Sequence, residues 1–229
     1  MADKRLVWDL PLRAFHWLLV LSILGLYLTG KAGFEWMPYH FYLGYTVIGL
    51  LLFRIIWGFI GPKHARFGGF LPGPGKLFGY LGKILKADST PSIGHNPAGA
   101  VMVVVILVLV GLQAFSGLFT TDDIAWAGPY NPAVSTALAS KLTSLHHINF
   151  NILATVIWLH IAAILFYRFY KKQDLVTPMV NGYKPASLVP AHEAIRGSEL
   201  IKALIVALVC AGAVYWLVHS APPPAAIDY

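Results

Sequence analysis

The stretch 144–161, SLHHINFNILATVIWLHI, decides how this chain is read. It contains no Asp, Glu, Lys or Arg and lies inside a longer charge-free window between Lys141 and Arg168. A helix of about 20 apolar residues crosses the hydrocarbon of a bilayer, so the window reads as a membrane span. Yet it holds three histidines, His146, His147 and His160. Imidazole is costly to place in hydrocarbon, and ionisable residues found there mark functional sites.

The rest of the chain has the same character. Of 229 residues, 57% are hydrophobic and only 12% charged, where a soluble domain has about 25% charged residues. Mean hydropathy is +0.65. Four further charge-poor windows lie between Arg13 and Lys31, Glu35 and Arg54, Asp88 and Asp122, and Lys202 and Asp228. The expected fold is therefore an all-α integral membrane protein with five transmembrane helices. The third should start at Pro97, with Asn96 as its N-cap. The first is read as a retained span, because no small-residue cleavage site follows it.

Orientation follows from Lys and Arg, which concentrate on the cytoplasmic side. Lys4, Arg5 and Arg13 precede the first span. Arg54, Lys63, Arg66, Lys76, Lys83 and Lys86 follow the second. Arg168, Lys171, Lys172, Lys184, Arg196 and Lys202 follow the fourth. Only Lys31 and Lys141 lie opposite. The N-terminus is expected in the cytoplasm and the C-terminus outside. The net charge of +7 is thus explained by topology, which removes nucleic acid as a partner. In the long loop 61–95, PGKLFGYLGKILKA sets Leu77, Leu81, Ile84 and Leu85 at helical spacing between Lys76, Lys83 and Lys86, the pattern of an interfacial helix. The outer loop 122–141 should form short helix and turns, and the tail APPPAA should be extended. The single cysteine, Cys210, excludes an internal disulfide, and no CxxCH site for covalent haem exists.

Five histidines fall within spans: His16, His40, His146, His147 and His160. His146 and His160 are fourteen residues apart, so they share a helix face roughly 21 Å apart, whereas His147 points about 140° away from His160. His16 lies at the cytoplasmic end of the first helix, at a depth His160 can meet. His40 follows Glu35 by five residues and His146 follows Lys141 by five, which matches them at the outer level. Two opposed imidazoles at each of two depths suit axially ligated haem b, whose iron takes one nitrogen from each side. Structural zinc wants four close ligands, and copper more typically a thiolate or third ligand. Arg54 shares the His40 face one level further in, where it and Arg13 are candidates for haem propionates. Gly25, Gly44, Gly49, Gly111 and Gly117 allow close helix packing or leave room for a porphyrin.

These residues carry a family resemblance. VWDLPLRAFHWLLV, HFYLGY, LLFRIIWGFIGPKHARF, GHNPAG and the LHH–N–LH pattern of the fourth helix resemble the bacterial di-haem cytochrome b561 family, to which nickel-hydrogenase cytochrome b subunits belong. The resemblance covers roughly residues 7–184 and implies a four-helix transmembrane domain over 1–184 holding two haems b, followed by 185–229 with a fifth helix. It carries haem ligation onto His16, His40, His146 and His160, paired His16 with His160 and His40 with His146. It further implies electron transfer in a bacterial inner membrane between the quinone pool and an extracytoplasmic c-type cytochrome or hydrogenase-like iron–sulfur subunit. The chain would then be an electron-transfer subunit acting as a quinone/quinol:cytochrome oxidoreductase, alone or as a homo-oligomer. His64, Arg66 and His95 are candidates to meet a quinone. Two rival readings are a haem-free transporter with a histidine relay and a membrane anchor or assembly subunit of a redox complex.

Overall fold

A computed structural model describes residues 3–85 and 91–223. Five helices are long and apolar enough to cross a membrane: α1 (Leu10–Ala32), α2 (Met37–Ile60), α5 (Pro97–Gly117), α6 (Thr136–Phe169) and α8 (Leu200–His219). Between them lie the short helices α3 (Phe67–Phe70), α4 (Pro74–Leu81) and α7 (Val176–Asn181), and the strands β1 (Lys4–Leu6) and β2 (Tyr183–Pro185).

Local chemistry sets where the long helices start. Asp9 caps α1: its Oδ1 accepts the Leu12 N–H at 2.9 Å. Asn96 caps α5, accepting the Gly99 N–H at 2.7 Å, with Pro97 at the first helical position as expected. Ser135 precedes α6 and accepts from the Leu138 N–H at 3.4 Å. Once started, these helices turn large apolar side chains outward. Leu21, Ile201 and Leu204 are each more than 60% exposed, an arrangement suited to lipid and not to water.

Two compact units divide the chain. The first comprises Met1–Trp17, Phe53–Ile106 and Val156–Val206. Here β1 and β2 pair antiparallel, with Arg5 opposite Lys184. The Val7 and Trp8 N–H groups both donate to the Gly182 carbonyl, whose residue takes φ of 90°, a left-handed value that favours glycine. Arg5 donates to the carbonyls of Val189 and Ala186. Val7, Trp57 and Val189 are fully buried. The second unit comprises Leu18–Leu52, Leu107–Thr155 and Ala207–Tyr229. Its loop between α5 and α6 is fastened to α8 by Tyr130, whose hydroxyl donates to the Leu217 carbonyl at 2.8 Å. Asn131 ties the same loop to the Phe119 carbonyl at 2.9 Å. Cys210 is buried.

Several boundaries differ from the sequence reading. The helix α2 runs through Arg54 to Ile60, so Arg54 is an interior helix residue and not the start of a loop. Charge marks span ends only when the charge stays solvated, and Arg54 is enclosed by packing. In the same way α6 begins before Lys141 and α8 includes Lys202. The expected interfacial helix is cut to Pro74–Leu81, because Gly82 follows and the chain continues as turns through Leu85. Lys86 and the end of the APPPAA tail lie outside the described residues. The loop between α5 and α6 has a 3-10 turn at Asn131–Ala133, as anticipated, and an isolated bridge between Thr121 and Ala127. The β1–β2 ribbon was not expected: three-residue strands carry too little alternation to be seen in sequence.

Candidate functional site

In the second unit, His40 of α2 and His146 of α6 lie within electrostatic reach of each other. Each ring is oriented by a neighbouring helix in the same way. His40 donates from Nδ1 to the Leu26 carbonyl at 3.1 Å, with the Thr29 hydroxyl at 3.3 Å. His146 donates from Nδ1 to the Gln113 carbonyl at 3.0 Å, with the Ser116 hydroxyl at 3.1 Å. Thr29 and Ser116 are themselves turned back onto helix carbonyls, Gly25 and Leu112, at 2.7 Å. A carbonyl only accepts, so the neutral rings carry their proton on Nδ1 and leave the Nε2 lone pair free.

Glycine makes both placements feasible. A methyl group at Gly30 would come within 3.3 Å of the His40 Cε1, and one at Gly117 within 3.1 Å of the His146 Cε1. Gly117 therefore serves a histidine ring rather than helix packing alone. Gly25 faces Leu43 and Gly49 faces Val214. Gly44 and Gly111 are half-buried, yet a methyl group on either would meet nothing within 4 Å. Asn149, buried on α6, donates to the Leu109 carbonyl at 2.9 Å and to Gln113 Oε1 at 2.7 Å, holding α6 on α5. His147 is exposed, with its ring edge-on to His146 at 6.2 Å.

In the first unit, His16 of α1 and His160 of α6 lie within electrostatic reach. The His16 Nδ1 is enclosed and has no hydrogen-bond partner. Arg13 donates to the Trp8 carbonyl at 3.2 Å and to the Val180 carbonyl, so it clamps α7 to the start of α1. Arg54 is 1% exposed, lies over the Phe67 ring at 4.5 Å, and has no partner at either terminal nitrogen. Asp9 is buried in reach of Arg54, and it accepts from the Trp57 Nε1 at 2.9 Å. Burial raises its carboxyl above the usual range, although those hydrogen bonds oppose the shift. His95, just before α5, packs against Phe70 and Trp8 at 4.4 and 4.8 Å. His64 donates from Nε2 to the Glu193 carbonyl at 2.8 Å, and Arg66 is exposed.

Among the described residues, no three or more His, Cys, Asp or Glu side chains gather as a metal site. The histidines come in twos. Asp9, Thr29, Gly30, Gln113, Ser116 and Lys184 were not singled out from sequence. The hydroxyls in charge-free spans were the available signal, since a buried Ser or Thr there needs a reason.

A family profile described as prokaryotic cytochrome b561 matches residues 7–182. The chain belongs to the prokaryotic cytochrome b561 family. It is 26% identical over 214 residues to a probable Ni/Fe-hydrogenase B-type cytochrome subunit of Azotobacter vinelandii, covering 78% of this chain and 87% of that one. Subunits of the same description from Escherichia coli (hydrogenase 1) and Bradyrhizobium diazoefficiens are 25% and 23% identical, over 78% and 77% of this chain and 89% and 84% of theirs. No solved structure matches significantly. This cytochrome b561 is a multi-pass bacterial membrane protein that carries haem b and transfers electrons. Its residues fit that cofactor: paired half-buried imidazoles, open space at Gly44 and Gly111, and an unpartnered interior cation at Arg54.

Proposed function

We propose that this cytochrome b561 holds two haems b, each between two histidines, and moves electrons across the bacterial inner membrane. His40 and His146 hold the outer one; His16 and His160 hold the inner one. The observation that supports this most is the repeated orientation of His40 and His146, each with Nδ1 committed to a carbonyl of the adjacent helix. That arrangement fixes the tautomer a metal ligand needs and makes the free nitrogen more basic. The cofactor supplies one-electron chemistry at iron; the chain supplies position, low polarity and charge. Held between two imidazoles, each iron would have no open coordination position, which favours electron transfer over small-molecule chemistry.

Arg54 is the candidate partner of a propionate, and Arg13, half committed to the Trp8 and Val180 carbonyls, is the second. Residues 1–184 form the cytochrome domain, and 185–229 add the fifth helix. The N-terminus is cytoplasmic and the C-terminus periplasmic, on the distribution of Lys and Arg. The relatives' description as hydrogenase cytochrome subunits favours a hydrogenase as the periplasmic partner, with an iron–sulfur subunit as the contact or a c-type cytochrome as the alternative. The quinone pool is the membrane partner, and His64 and Arg66 are the candidate side chains to meet it.

The test is a haem count by pyridine haemochrome on the purified protein, with single histidine variants. Two haems per chain are expected, falling to one in His16→Ala, His40→Ala, His146→Ala and His160→Ala. Unchanged counts in all four variants would defeat the assignment.

A further inference from the structure

Arg54 is a buried charge without a hydrogen-bond partner. Neither terminal guanidinium nitrogen is satisfied, although the side chain is 1% exposed. An interior cation in that state is strongly destabilising unless an anion completes it. A second group nearby has the same deficit. The His95 Nδ1 is enclosed and has no partner, and its ring faces Phe70, the same ring that Arg54 approaches at 6.0 Å. A third group adds charge. Lys184 is 7% exposed, gives one N–H to the Ser92 carbonyl at 2.9 Å, and lies within electrostatic reach of His95.

The charges in this cluster do not cancel. Asp9 is the carboxylate in reach of Arg54, but its Oδ1 is occupied by the Leu12 N–H and the Trp57 indole. Burial, reinforced by the charges of Arg54 and Lys184, pushes the His95 pKa down to about 3, so this ring is neutral and offers a single N–H. Two cations against one carboxylate leave a surplus of one positive charge. The unsatisfied guanidinium and the unpartnered His95 ring nitrogen accompany that surplus.

We propose that Arg54, His95 and Lys184 form a carboxylate pocket whose occupant is a propionate of the haem held by His16 and His160. This rests on the paired-histidine reading above, and all five residues belong to the same compact unit. Arg54 and His95 act as donors, and Lys184 acts through its charge. A quinone oxygen is the other ligand that such donors could accept, but it carries no charge to match the surplus. His95 is thus a positioning residue for the inner haem.

The test uses single-haem backgrounds of the full-length protein. In His40→Ala only the inner haem should remain, and in His16→Ala only the outer one. Redox titration of His95→Leu in each background is the main readout, with the propionate bending band in resonance Raman as the second. Losing a donor leaves more negative charge near the iron, so the inner haem's midpoint potential should fall and its propionate band shift. The outer haem should be unmoved, and His95→Gln, which retains an N–H, should restore the potential. Should His95→Leu lose the haem, Lys184→Gln in the His40→Ala background supplies the same measurement. Equal shifts in both backgrounds, or none in either, would overturn the pocket. An unmoved potential with slowed reduction by a soluble quinol would assign the donors to quinone and also overturn it. If His40→Ala and His16→Ala both keep two haems, it is the paired-histidine reading that fails.

Discussion

At the scale of single residues, His146 and His147 show how one position decides chemistry. They are adjacent in sequence, yet His146 is half-buried with its Nδ1 on the Gln113 carbonyl, and His147 is exposed. If the proposed ligation holds, His147→Ala should retain two haems and His146→Ala one; the pyridine haemochrome count checks it. The glycines beside the rings offer a finer test. In Gly117→Ala the new methyl would stand 3.1 Å from the His146 Cε1, tighter than an ordinary contact, so the ring must give by a few tenths of an ångström. The expected result is a retained haem with an altered low-spin EPR spectrum, and Gly30→Ala should do the same to the His40 side. Spectra identical to the parent would show that neither glycine constrains its histidine. Both effects would follow from packing around the histidine ring and not from its removal.

At the scale of elements, caps and short turns carry the testable energetics. Asn96 closes the first turn of α5 through the Gly99 N–H. Asn96→Ala should cost about 1 kcal/mol, seen as a lower apparent melting temperature in detergent with haem content unchanged. In the loop between α5 and α6, Asp122 accepts the backbone N–H groups of Ile124, Ala125 and Trp126 within 3.0 Å. Those bonds, led by Trp126, hold its carboxyl below the usual carboxylate range. Because the folded pKa is lowered, the contribution is present above the ordinary carboxyl range and lost as pH falls through the lowered value. The loop also sets Trp126 against Phe34 and Phe41, at 5.3 and 6.1 Å. Asp122→Ala should speed amide exchange at 124–126 several-fold at neutral pH, read by hydrogen–deuterium mass spectrometry, with protection elsewhere in α5 and α6 unchanged. The same scale explains why Arg54 was read as a span end. A charge inside a helix looks in sequence like a charge after one, and only the ring of Phe67 and the enclosure around it distinguish the two.

At the scale of the whole molecule, topology is the first quantity to measure. Fifteen of seventeen basic residues fall on one side of a five-span arrangement. An alkaline phosphatase fused after Tyr229 should thus be active, and the same reporter fused in the 61–95 loop inactive; the reverse pattern would invert the orientation. What the sequence determined by itself is the class of protein, the five helices and the proposal of four histidine ligands. Those follow from apolar length, the cost of imidazole in hydrocarbon, and a helical period that places residues fourteen apart on one face. Tertiary structure alone decided the surroundings of those histidines. The Leu26 and Gln113 carbonyls, Thr29, Ser116, Gly30 and the Arg54–His95–Lys184 cluster are brought together from positions distant in the chain. No local period marks such residues, because a hydrogen bond to a neighbouring helix depends on which face that helix presents, and packing fixes the face only once the chain has folded.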